Sequence, residues 1–396
     1  MPWQNEGAAQ QRRRFLTEYL RHKTTVAELS RQWGVSRKTA YKWIGRCVAG
    51  GDGLKDRSRR ARTVHNRPSA VWLARIKRWR ARYPSWGAPK LQAVLERRFG
   101  CQGLPSEAAI GRWLKRWALT AQVHPQRRRR QGPSSPRPAL TIPRRCHEVW
   151  TADFKGWFKT GDGVRVDPFT VRDLFSRTIL AVELMHQPTV AATRAGLARI
   201  FARHGLPQVI RTDNGTPFGS SGALGLTRLS VWWLRLGIRV EFIEPGRPDQ
   251  NGAHEQVHRV YQAETASPPA PTVRAQQRRT QRWLKVYNQE RPHEGLGMDV
   301  PSEWYRPNRR RLPSKLPAWR YPLRWLSRLV KGKGMISVHG RGRYIGEAFE
   351  GERVGLKAHG ADNWQVYLGP HLLGELARAG TLGVSARWYH ARRKSR

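Results

Sequence analysis

Around Glu148 the hydrophobic patterning of this chain changes period, and one packed core cannot serve both halves. Upstream, apolar residues recur at helical spacing in short segments. Downstream, β-branched runs of strand length alternate with amphipathic helices. With 396 residues to distribute, the chain is expected to form several domains. The expected partition is a helical domain over 1–56, a basic linker over 57–68, and a second helical domain over 69–119. An Arg/Pro-rich linker over 120–145 then leads to an α/β domain over 146–305. A basic connector over 306–332 and a small β-barrel with a basic tail over 333–396 complete it.

The first domain reads as three helices. Residues 12–21 carry Phe15, Leu16, Tyr19 and Leu20 on one face. Thr25-Val-Ala-Glu is a capping-box pattern whose helix stops at Gly34, and Ser36 caps a third helix over 37–47. A short helix, a glycine turn and a basic helix make a helix-turn-helix pattern. Its last helix would present Arg37, Lys38 and Lys42 to the major groove of double-stranded DNA. Helical segments over 70–83, 88–99 and 106–117 resemble a second such module, with a plain packing module as the alternative. Arg127, Arg128, Arg129 and Arg130 stand in a row between prolines; they cannot bury, and either stay disordered or lie along phosphates.

Strands are expected over 149–158, 164–173, 176–183, 208–211 and 239–243, and helices over 190–204, 224–236, 251–264 and 273–288. Three meandering strands followed by alternation imply a mixed sheet flanked by helices. Short β patterns over 335–338, 343–345, 353–358, 364–368 and 372–376 suggest the terminal barrel.

Lys and Arg number 74 against 28 Asp and Glu, a net charge of +46. Self-repulsion of that size calls for a polyanionic partner. An anionic membrane would need a basic amphipathic helix or a lipidation signal, and neither is found. Cys47, Cys101 and Cys146 are far apart and in no metal-ligand spacing, so neither a disulfide framework nor a structural zinc site is expected. With no apolar stretch of about 20 residues and no signal-type segment, a soluble intracellular protein is expected. Most of the 18 tryptophans are expected in cores, with base stacking as the alternative.

Nucleic acid as partner gives meaning to three acidic residues. Asp153 ends the apolar run Val-Trp-Thr-Ala-Asp-Phe. Asp213 follows a β-branched stretch at an Asn-Gly turn, and Glu255 opens a helix after Gln-Asn-Gly-Ala-His. Two carboxylates at strand ends and one on a helix can converge on two Mg²⁺ ions, which prefer hard oxygen ligands. Such a pair activates an attacking oxygen and stabilises a leaving one in phosphodiester displacement. Each acid alone could be a cap or turn residue. Asp173, Glu183, Asp249 and Glu264 compete for the ligand role without matching settings.

Four strings carry a family resemblance. Trp150-Thr-Ala-Asp-Phe, Arg211-Thr-Asp-Asn-Gly-Thr-Pro-Phe, Glu244-Pro-Gly-Arg-Pro-Asp-Gln-Asn-Gly-Ala-His-Glu and Tyr287-Asn-Gln-Glu-Arg-Pro-His-Glu-Gly-Leu resemble bacterial insertion-sequence transposases of the retroviral-integrase superfamily. The resemblance implies a ribonuclease H-like core over 146–305, with Asp153, Asp213 and Glu255 as the catalytic and metal-binding triad. It implies two Mg²⁺ or Mn²⁺ ions, 3′-end hydrolysis of an element-end strand, and transfer of the freed hydroxyl to target DNA. Asn214 and Gly215 would shape the loop after the second Asp, while Gln250, Asn251 and Gly252 would form the turn that aims Glu255. His254, His258 and Arg259 would be candidate phosphate contacts. One departure is Gln262, where this family commonly carries a basic residue seven positions after the Glu. Joining two ends in concert implies a homo-oligomer on bacterial nucleoid DNA. Nothing in the chain decides whether an accessory ATPase takes part. A catalytically silent DNA-binding regulator and a general metal nuclease are the alternative readings.

Overall fold

The computed structural model describes residues 7–49, 54, 56, 69–120, 140–244, 248–360, 363–377 and 382–383. Arg127 to Arg130 and the whole of the 57–68 linker therefore lie outside the described residues. Internal contacts divide the chain into two compact units, residues 1–67 and 68–396.

The first unit is built from α1 (Ala8–Leu20), α2 (Val26–Gln32) and α3 (Arg37–Val48). The Thr25/Glu28 capping box closes in both directions, and the Ser36 hydroxyl accepts from the Thr39 amide. Gly34 sits at φ +61°, the left-handed conformation that the turn between α2 and α3 requires. Phe15, Leu16, Leu29, Val35, Ala40 and Ile44 form the core of this unit. Arg12 is buried beside it, its guanidinium 3.8 Å from the Trp43 ring centroid and 2.9 Å from Asp56.

In the second unit, α4 (Ala70–Arg82), α5 (Ala88–Phe99) and α6 (Glu107–Arg116) pack around Trp72, Ile76, Trp86, Leu91 and Ile110. This helical module is joined to the α/β core mainly through polar contacts. The Tyr83 hydroxyl donates to Glu290 at 2.7 Å, and Lys90 pairs with Glu294 at 2.5 Å. Arg97 reaches Asp299 and Glu303, each at 3.3 Å.

The core contains β1 (Val149–Phe154), β2 (Phe158–Lys159), β3 (Arg165–Asp173) and β4 (Ile179–Met185). They are followed by α7 (Val190–His204), β5 (Val209–Thr212), α8 (Arg228–Arg235), β6 (Arg239–Phe242), α9 (Gly252–Tyr261) and α10 (Val273–Gln289). The sheet runs β2-β3-β1-β5-β6, with β4 also on β3. The meander β1–β3–β4 is antiparallel, whereas β5 and β6 join β1 in parallel. This is the mixed sheet the alternation predicts. Only part of the expected 149–158 strand is continuous, because the chain leaves the sheet between Phe154 and Phe158. The strand expected from 176 begins at Ile179, because Asp173 accepts from the Ser176 amide and hydroxyl and closes a turn there. On the outer edge, the Asn288 carboxamide of α10 donates to the Ile179 carbonyl and accepts from the Ile179 amide.

After the short helix α11 (Pro301–Trp304) the chain enters β7 (Leu326–Leu329), β8 (Met335–Val338) and β9 (Arg341–Tyr344). The remaining strands are β10 (Arg353–His359), β11 (Asn363–Leu368), β12 (His371–Ala377) and β13 (Leu382–Gly383). The expected barrel is not there. Among the described residues these strands form an open sheet, β13-β12-β11-β10-β7, and a separate β8–β9 hairpin. The reason lies in where the apolar side chains go. Val354, Leu356, Val366, Leu368 and Phe349 belong to one hydrophobic cluster with Trp232, Trp233 and Phe201 of the core. A sheet whose apolar residues are taken up by a neighbour has nothing left to close around.

Candidate active site

Strand register brings the two aspartates together. Thr151 of β1 pairs with Arg211 of β5 in parallel, so Asp153 and Asp213 both stand two positions further along adjacent strands. Neighbouring strands are about 4.8 Å apart, and positions two along share a face. Each side chain is held by an amide. Asn251 Nδ2 donates to Asp153 Oδ2 at 2.7 Å, and the Gly215 N–H donates to Asp213 Oδ1 at 3.2 Å. A Cβ at Gly215 would lie 3.1 Å from Asp213 Oδ2, so the loop fits closely against this carboxylate.

The third acid arrives on α9, which begins right after Asn251 and lies over β1 and β3. Thr170 of β3 stands directly opposite Asp153 and donates its hydroxyl proton to the Asp153 carbonyl at 3.1 Å. The same oxygen lies 3.1 Å from His254 Nδ1 and 2.8 Å from His258 Nε2. A hydroxyl has one proton, so both rings must donate to it, which places protons on His254 Nδ1 and His258 Nε2. Glu255 therefore rides on a helix fixed to the strand that carries Asp153, and it is exposed at the first turn.

Electrostatics agree with convergence. The Asp153 carboxyl is pushed up to about 7, first by burial and then by the charge of Asp213, with Glu255 adding to it. Burial likewise raises Asp213, opposed by the Gly215 amide. An all-oxygen donor set in which a half-buried Asp153 feels the charges of Asp213 and Glu255 fits a hard dication. His258 is lowered to about 4 by burial and Lys155, and burial also lowers His254 strongly, so both rings are neutral near pH 7.

The supporting residues are placed as follows. Asn214 Nδ2 donates to the Ile243 carbonyl at 2.5 Å, and Gln250 accepts from the Glu244 amide at 2.9 Å. These contacts tie the two loops that flank the acids. Gly252 has room for a Cβ and starts the helix without a steric requirement for glycine. His254 is fully buried, which does not suit the phosphate contact expected of it; His258 is partly buried with its ring toward Thr170, and Arg259 is exposed. Gln262 opens a π-helical turn, Gln262–Ala266, and donates to Ser267. Three of the four competing acids have other partners: Asp173 holds the Ser176 turn, Glu183 pairs with Arg199, and Glu264 binds Trp283 and Arg291, while the Asp249 side chain lies outside the described residues. Thr170 escaped the sequence reading, since a threonine in a strand carries no signal. The spacing His254-Glu255-x-x-His258 was legible and went unused.

Arg37, Lys38 and Lys42 are exposed on α3, together with Tyr41 at 60%. Replacing Arg37 and Lys38 with Ala is expected to weaken DNA binding on the order of tenfold or more and to make the salt dependence shallower by about two. A filter-binding salt titration measures both, and an unchanged slope would remove α3 from the interface. In the second module, Arg75, Arg78, Arg82 and Arg98 line a cleft floored by Trp79 and Phe99.

Residues 143–248 and 236–301 match integrase core domain models, which together carry all three acids. Residues 11–62 match a helix-turn-helix domain, 39–114 a homeodomain-like domain, and 326–379 the C-terminal domain of IS481 family transposases. These matches support a resemblance to bacterial insertion-sequence transposases of the integrase superfamily. The chain is 30% identical over 180 residues to the insertion element IS407 uncharacterized 31.7 kDa protein of Burkholderia multivorans. That match covers 45% of this chain and 62% of the relative. A second, to the insertion element IS476 uncharacterized 39.2 kDa protein of Xanthomonas euvesicatoria, is 28% identical and covers 45% of this chain and 50% of the relative. Solved structures with similarity include the HTLV-2 integrase catalytic core domain in complex with magnesium, at 16% identity, TM-score 0.31, and coverage of 42% of this chain and 100% of that one. A simian T-cell lymphotropic virus intasome chain matches at 17% identity and TM-score 0.36, covering 69% of this chain and 91% of that one. Among the described residues no helix is long and apolar enough to cross a membrane.

Proposed function

We propose that this chain is a DNA transposase that binds the ends of its element, hydrolyses a strand there, and transfers the freed 3′-hydroxyl into target DNA. The observation that carries this reading is the strand register that sets Asp153 beside Asp213, with the Asp153 carboxyl raised to about 7 by burial and by the charges of Asp213 and Glu255. Such an arrangement is costly to the fold and suits a cation-dependent site.

Asp153, Asp213 and Glu255 would hold two Mg²⁺ or Mn²⁺ ions. Bound there, the ions supply charge compensation at the attacking and leaving oxygens. Asn251 keeps Asp153 in one rotamer, and the Gly215 amide does so for Asp213. Thr170 fixes the distance between β1 and the helix that presents Glu255. In the first step a water oxygen bonds to phosphorus and the P–O3′ bond breaks. In the second, the 3′-oxygen so released bonds to a target phosphorus and the target's own O3′ leaves. The helix α3 and the arginine cleft of the second module would hold double-stranded DNA. Concerted joining of two ends calls for a second copy of the chain, acting on DNA in the bacterial cytoplasm.

The experiment is a supercoiled plasmid bearing the gene with its native flanks, incubated with Mg²⁺ and either wild type or Asp213→Asn, with every nick mapped to the nucleotide. Mg²⁺-dependent cuts at two inverted repeats, lost in the variant, are expected. Binding at those repeats without cuts in either protein would favour a silent regulator. Cuts scattered without regard to the repeats would favour a general nuclease.

A further inference from the structure

His254 and His258 stand four residues apart on α9, the spacing that puts two imidazoles on one face of a helix. With Glu255 they spell His-Glu-x-x-His, a helical ligand pattern for a transition ion. That face meets Asp153. One ligand atom from each of Asp153, His254 and His258 lies within 4.8 Å of the others. We propose that Asp153, His254 and His258 form a binding site for one borderline divalent ion of the Zn²⁺ or Co²⁺ class, overlapping through Asp153 the hard-ion site of Asp153, Asp213 and Glu255.

Ligand chemistry separates the two sites. Mg²⁺ takes oxygen and dehydrates reluctantly, whereas two imidazoles and a carboxylate select softer first-row ions and leave coordination positions open. Bonds of about 2.0–2.2 Å to N and O ligands need the three atoms to draw together by roughly an ångström, within the reach of side-chain rotation. His254 is fully buried, its Nδ1 facing Thr170 and its ring also in hydrogen-bond contact with the Thr151 backbone. The rival account is that both rings serve only as donors to Thr170, whose oxygen a bound ion would have to displace from at least one of them.

Asp153 belongs to both sites, so occupancy by the softer ion withdraws it from the other two acids. The consequence, inhibition of cleavage by Zn²⁺, rests on the transposase reading; the ligand set does not.

The test is a Co²⁺ titration of the full chain after chelator treatment, followed by visible absorption. Wild type is expected to develop a d–d band that saturates at one equivalent and is bleached by Zn²⁺. His258→Asn should lose the band, while Asp213→Asn and Glu255→Gln should retain it. Thr170→Val, which removes the competing hydroxyl, should reach half-saturation at no more Co²⁺ than wild type does. No band in wild type, a band surviving in His258→Asn, or a band lost in Asp213→Asn would each overturn the site. Should His258→Asn fail to fold, as judged by circular dichroism, Thr170→Val decides: weaker Co²⁺ binding in a folded variant overturns the proposal. A cobalt band without any Mg²⁺-dependent cleavage would sink the transposase reading and leave the metal site standing.

Discussion

Asp153→Asn is expected to lower strand cleavage by at least about a thousandfold and at the same time to raise the melting temperature. Loss of a carboxylate from a cation-dependent site would remove on the order of 4 kcal/mol or more of charge stabilisation, and 1.36 kcal/mol is tenfold in rate. The stability gain has the opposite origin. Burial and the neighbouring acids raise the Asp153 carboxyl from 3.8 to about 7. The folded state then binds the proton more tightly than the unfolded chain, so stability is greatest at low pH. It declines as pH rises from about 4 to about 7, and above that the penalty is complete. At 1.36 kcal/mol per unit the full linkage is roughly 4 kcal/mol, and about half of that is expected after relaxation and solvent screening. A neutral amide escapes the penalty and can still accept from Asn251. Thermal melts at pH 5 to 8 without divalent ions should show wild type losing stability with rising pH and the variant staying flatter. Mg²⁺ should narrow the gap by binding wild type. Parallel curves for the two proteins would remove Asp153 from a buried, repulsive setting.

Arg291→Met is expected to be the most destabilising single change in the core, by about 3 kcal/mol or more. Arg291 pairs with Glu264 at 2.5 Å, with side chains only 9% and 19% exposed, and Trp283 donates to the other Glu264 oxygen at 2.7 Å. Removing the cation leaves a carboxylate with little water to replace it. Glu264 lies in the π-helical turn that continues α9, so its release loosens the far end of the helix carrying Glu255. Adding Glu264→Gln should restore much of the lost stability, because the orphaned charge goes with it. Urea denaturation of the two single variants and the double variant forms the cycle, and additive losses would show that the pair is not coupled.

Local signals made most of the architecture readable. Helices over 88–99 and 190–204 were expected at the bounds they have, because Gly100 and Gly205, at φ +80° and +82°, end them abruptly. The acids were readable because each sits in a short, distinctive string. What was hidden depends on packing across the chain. Thr170 meets His254 and His258 across 84 and 88 residues, and a periodicity argument carries no information about which helix lands on which strand. The strand β7 went unseen inside an Arg/Pro/Trp stretch, since its half-buried residues give a weak alternation. The barrel failed as an expectation for a related reason. Short alternating strands report that an apolar face exists, and say nothing of what covers it.

That cover has a thermodynamic consequence. Phe349, Val354 and Leu368 share one apolar cluster with Trp232 and Phe201, so neither set can lose its shape without exposing the other. The α/β core and the C-terminal sheet should therefore unfold together as one cooperative unit. A lesion in the C-terminal sheet, which carries none of the three acids Asp153, Asp213 and Glu255, would shorten the lifetime of the molecule in the cell while leaving the chemistry of the surviving copies intact.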